Sequence, residues 1–96
     1  MKPEEKELFR AALLRVMDAN RTRFGMTSVA LAFHLASFGF TPAVCGGEQK
    51  FHELVLDEIG YLADKGMLEE VTKTLSRENR AWRITAAGIA FVDERG

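Results

Sequence analysis

Apolar residues recur along the start of the chain at the spacing of one helical face. Leu8, Phe9, Ala12, Leu13 and Val16 fall on one side, with Lys6, Arg10 and Asp18 turned away. Pro3 is preset for a first turn, and Glu4, Glu5 and Glu7 suit the positive end of the macrodipole, so a helix is predicted over residues 3–19. Residues 20–25 read as a connection, after which Thr27 or Ser28 can cap a second helix over residues 28–38. This helix is apolar on two sides, with Val29, Ala32, Phe33 and Ala36 in one stripe and Leu31, Leu35 and Phe38 in another. The pattern predicts burial on both. Gly39 ends it, and residues 41–47 form a loop by their proline and paired glycines. A third helix is expected from near Glu48 to just before Gly66, with Phe51, Leu54, Val55, Ile59 and Leu62 as its core stripe. Its opposite face carries Lys50, Glu53, Asp57 and Asp64 and is acidic on balance, while Glu58 falls uncomfortably close to the apolar stripe.

After Gly66 the period changes from helical to alternating. Residues 67–75 and 80–84 are strand-like, joined by a turn cluster of Ser76, Arg77, Glu78 and Asn79. On the second strand Trp82 and Ile84 share one face, Ala81 and Arg83 the other. Thr85 caps a short closing helix over residues 86–93, with Ile89 and Val92 on one side. No repeat or low-complexity tract interrupts the sequence, so residues 1–96 are read as one domain. The expected class is α+β: a three-helix cluster, a C-terminal β-hairpin and a short closing helix.

Two segments carry a family resemblance. Leu62-Ala63-Asp64-Lys65-Gly66-Met67-Leu68-Glu69-Glu70 resembles the end of the third helix and the first strand of winged helix-turn-helix domains. Trp82-Arg83-Ile84-Thr85-Ala86-Ala87-Gly88 is similar to the hydrophobic-Thr-x-x-Gly pattern that closes the wing in many members. With the helix order, the match covers about residues 5 to 93. The whole chain also resembles small proteins of Mu-like phages and prophages. The resemblance implies that helices 2 and 3 form the helix-turn-helix unit and that Gln49, Lys50, His52 and Glu53 lie nearest a major groove. It also implies a wing over residues 73–83. Two departures stand against it: residues 39–47 make a longer connection than the usual 3–4-residue turn, and the outer face of helix 3 is acidic.

Charge sharpens that tension. Thirteen Lys and Arg against fourteen Asp and Glu give a net charge of −1, where a duplex-binding domain usually carries a basic surplus. Locally the wing is basic: Lys73, Arg77, Arg80 and Arg83 stand against Glu78 alone, a surplus of three. Arg21 and Arg23 in the first connection could meet phosphates beside it. The expected function is therefore a small DNA-binding transcriptional regulator, with double-stranded DNA held by Arg21, Arg23, Gln49, Lys50, His52, Lys73, Arg77, Arg80 and Arg83. The alternative is a protein-interaction module of the same fold whose acidic helix 3 docks a partner. Trp82 is expected to pack the hairpin against helices 2 and 3, with base stacking the other reading. Leu14, Met17, Ile89, Phe91 and Val92 exceed what one small core needs and are expected to form a two-fold homodimer face; the other account is that the terminal helices cover one another.

Composition excludes less than charge does. At 47% hydrophobic and 28% charged, the chain is ordinary for a globular domain. No apolar run approaches the ~20 residues that span a bilayer. The acidic, polar opening lacks a signal-peptide pattern, and the single Cys45 cannot close an internal disulfide, so a cytoplasmic location is expected. His34, Cys45, Glu48 and His52 are the metal-ligand types closest in sequence, but there is no CxxC and no His pair at helical spacing. Gly46-Gly47 lacks the Lys-Ser/Thr of a phosphate loop. No catalytic arrangement, metal or cofactor is expected.

Overall fold

Helix α1 (Pro3–Ala19) starts at its proline with Glu4 and Glu5 in the first turn, and buries Phe9, Ala12, Leu13, Leu14, Val16 and Met17. It can bury so wide a face because it is surrounded, packing against α2 (Ser28–Leu35), β3 (Ala81–Ile84) and α4 (Ala86–Arg95). The computed structural model describes residues 2–21, 25–71 and 80–95. The remaining elements are β1 (Met26–Thr27), a 3-10 turn (Ala36–Phe38) that continues α2, α3 (Glu48–Asp64) and β2 (Leu68–Glu70). Among the described residues, four helices and a three-stranded antiparallel sheet make one compact α+β domain, with a Cα radius of gyration of 12.4 Å. No helix among the described residues is long and apolar enough to cross a membrane.

Two residues of the expected dimer face turn inward: Leu14 is 0% and Met17 2% exposed, both inside the core. Ile89, Phe91 and Val92 are partly buried against that same core, where α4 packs on α1. Leu8, expected in the core stripe, is instead exposed, while the Phe40 ring meets Phe9 edge-on at 5.1 Å between centroids.

β1 lies in the stretch expected to be a connection. Its two residues pair antiparallel with β3, Met26 opposite Trp82 and Thr27 opposite Ala81, while β2 pairs with the other edge of β3. That makes β3 the central strand, which accounts for the burial of Ala81 on the face not assigned to the core. Gly25 permits the approach: its φ is +72°, and a Cβ there would stand 2.6 Å from the Trp82 carbonyl oxygen. The strand end at residues 72–75 and the turn at 76–79 lie outside the described residues.

The hydrophobic-Thr-x-x-Gly segment has a physical reason. Thr85 Oγ1 donates to the Gly66 carbonyl (2.6 Å) and accepts from the Gly88 N–H (3.2 Å), joining the end of α3 to the start of α4. The Thr85 N–H donates to the Met67 carbonyl at 3.0 Å. At Gly88 a Cβ would lie 2.5 Å from the Met67 carbonyl oxygen and 2.6 Å from Ile84 Cγ1, so the helix can sit this close only without a side chain.

Glu58 resolves as a buried ion pair. Its side chain is 5% exposed, and the Arg10 guanidinium from α1 reaches both carboxylate oxygens, Nη2 at 3.5 Å. The same guanidinium lies 4.0 Å from the Tyr61 ring centroid. The hydrogen bond to Glu58 is the main cause holding the Arg10 pKa above its usual value.

Candidate functional site

Two surfaces gather the residues of interest. The first is a hollow at the hairpin side, lined by Met17 and Arg21 after α1, Met26 of β1, Trp82 and Arg83 of β3, and Glu69 of β2. The strand register brings Arg83 directly opposite Glu69, and the two form an ion pair across the strands. Arg80 sits diagonally from Glu70 and pairs with it at 3.1 Å. Arg21 Nε lies 3.1 Å from Asp18 Oδ1 and donates to the Asp18 carbonyl at 3.2 Å. Arg21 and Arg83 therefore do meet at one hollow, as the DNA reading requires. Each is met there by a carboxylate, which cancels much of the field a phosphate would feel. Arg23, Lys73 and Arg77 lie outside the described residues. Trp82 is partly buried against the core and lines this hollow together with Met17 of α1.

The second surface is a groove between α2 and α3. Thr27 Oγ1 accepts from the Ala30 N–H at 3.3 Å and so fixes the rotation of α2 at its start. Leu31 and Leu35 then turn into the core. The other stripe faces out at Val29, 64% exposed, and Phe33, 79%; Phe38, at the end of the leucine stripe, is exposed as well. This corrects the expectation that both stripes are buried. α2 packs on α1 and α3 through its leucines, and no described element covers the Val29–Phe33 side. The groove is lined by Val29, Ala32, Phe33 and Ala36 on one wall, by Phe51, Gln49 and His52 on the other, with Pro42 and Glu48 at its rim. Its floor and α2 wall are uncharged, since no Asp, Glu, Lys or Arg stands between Arg23 and Glu48.

Of the α3 residues expected at a major groove, Gln49 and His52 line this second surface. Gln49 Nε2 donates to Glu53 Oε1 at 3.4 Å, so Gln49 is held by an acid one turn on. His52 is half-buried in the groove wall, and Lys50 and Glu53 are exposed. Along its exposed positions α3 carries Glu48, Glu53, Asp57 and Asp64 against Lys50, an acidic edge beside an apolar floor. Cys45 is half-buried; burial, with Glu5 adding, pushes its thiol pKa up. Among the described residues no three His, Cys, Asp or Glu side chains converge as a metal site requires.

The signal for the second surface was present in the sequence as the double stripe of helix 2. Compared with protein-family models, curated proteins and solved structures, this chain matches none.

Proposed function

We propose that this chain is a winged helix-turn-helix domain that works as a protein-interaction module, recognising its partner through the α2/α3 face. The fold reading is supported by the element order. Consecutive helices α2 and α3 lead into the antiparallel pair β2 and β3, and β1 adds to the far edge of β3. The observation that carries the function is Phe33, a large aromatic four-fifths exposed in a largely apolar groove beside Val29 and Phe51. A large exposed aromatic over a concave apolar floor is a usual anchor of protein recognition and would be wasted against phosphates. The acidic edge of α3 favours the same reading, because Glu53 and Asp57 would repel a DNA backbone.

A second reading, a DNA-binding regulator, is favoured by one observation: Arg21 and Arg83 line the same hollow beside Trp82. The two readings separate in a duplex titration across salt concentration. The interaction module gives little binding and a log–log slope near zero. A regulator that engages about four to six phosphates gives a slope of about −4 to −5.

A further inference from the structure

Resting on the protein-interaction reading, we infer that the α2/α3 groove takes one kind of occupant: an amphipathic helix of a partner protein whose polar edge is basic. Shape supplies the helix. Val29, Phe33 and Ala36 follow one another along α2 at intervals of four and three residues, the spacing that meets an i, i+3/i+4, i+7 apolar stripe on a facing helix. Ala32 and Ala36 are small enough for a partner backbone to approach, with Phe33 rising beside them and Phe51 closing the opposite wall. The wall from Val29 to Ala36 matches about two turns of a docked helix, roughly 10 Å.

Charge supplies the sign. The α2 side of the groove offers no ionised group, so all discrimination falls to α3, where Glu48 stands at the rim and Glu53 is tied to the wall residue Gln49. A docked helix with Lys or Arg flanking its apolar stripe would bring them to these carboxylates. A second copy of this chain would bring the same acidic α3 and no basic stripe, so it supplies no complementary charge and is the poorer fit.

The test uses the full chain, isotope-labelled for NMR, and two synthetic helical peptides of about 14 residues, four turns each. One has a leucine stripe flanked by lysines, the other the same stripe flanked by glutamates. The lysine peptide should shift the resonances of Val29, Phe33 and His52 saturably. Phe33→Ser should weaken it about tenfold or more while leaving the spectrum folded, because Phe33 is exposed. The double change Glu48→Lys with Glu53→Lys should weaken the lysine peptide and strengthen the glutamate one.

Equal binding of both peptides overturns the basic-partner inference and leaves the protein-interaction reading standing. Failure of both peptides, with Phe33-dependent self-association in sedimentation, makes a second copy the occupant and overturns the inference in the same limited way. Failure of both, no self-association and salt-sensitive duplex binding overturn the inference and the reading together.

Discussion

Arg10 and Glu58 show how a residue that reads badly in a sequence becomes sensible in three dimensions. Glu58 sits on the apolar side of α3 because α1 delivers a guanidinium to it, and the pair then lies under the Tyr61 ring. A carboxylate this buried cannot be left alone. Arg10→Met should cost about 2–4 kcal/mol in chemical denaturation, by stranding Glu58. Arg10→Met combined with Glu58→Leu should recover to within about 1 kcal/mol of the parent, since two apolar groups leave no charge unpaired. A double variant no more stable than Arg10→Met would mean the ion pair is not what holds α1 to α3 here. The direction of the Arg10 shift fits: its folded pKa is raised, so its contribution is complete below the unfolded value and is lost only in strong alkali. Gly88 makes a second residue-scale case. Gly88→Ala should lower stability by about 1–3 kcal/mol in the same measurement, because the new methyl meets the Met67 carbonyl and Ile84. An unchanged midpoint would contradict that close approach.

At the scale of elements, helices were more legible than their environments. α1 and α3 are where apolar periodicity and end signals put them, at Pro3–Ala19 and Glu48–Asp64. β1 was not legible, because two residues between a glycine and a helix cap have no period of their own; their strand character comes only from the edge of β3. Periodicity also could not say which stripe of α2 is covered. It reports that a face is apolar, while burial depends on what the rest of the chain can reach. The structure makes Leu31 and Leu35 core and Val29 and Phe33 surface, and mutation can check that split. Leu31→Ala or Leu35→Ala should each cost about 2–5 kcal/mol. Val29→Ser and Phe33→Ser should change stability by no more than about 0.5 kcal/mol. Losses of several kcal/mol at Phe33 would place that stripe inside the fold. The arginines show the limit from the polar side. Sequence located Arg80 and Arg83 on a strand, but the register that sets Glu69 and Glu70 against them appears only once β2 and β3 are paired.

For the whole molecule, a net charge of −1 is distributed so that the two surfaces differ in kind. The hairpin side concentrates cations already engaged by carboxylates, and the α2/α3 side concentrates apolar area beside an acidic edge. α1 packs against α2, β3 and α4, while the Val29–Phe33 side of α2 is left exposed. Covering it is what a partner would contribute, by removing Val29 and Phe33 from water.

The most direct measurement is an NMR map of one labelled sample titrated in parallel with the lysine-flanked amphipathic peptide and with duplex DNA at low salt. The account predicts saturable shifts along Val29, Ala32, Phe33 and His52 with the peptide, and no specific shifts with DNA. Shifts centred on Arg21 and Arg83 with DNA, together with an unperturbed α2 in the peptide titration, would contradict it.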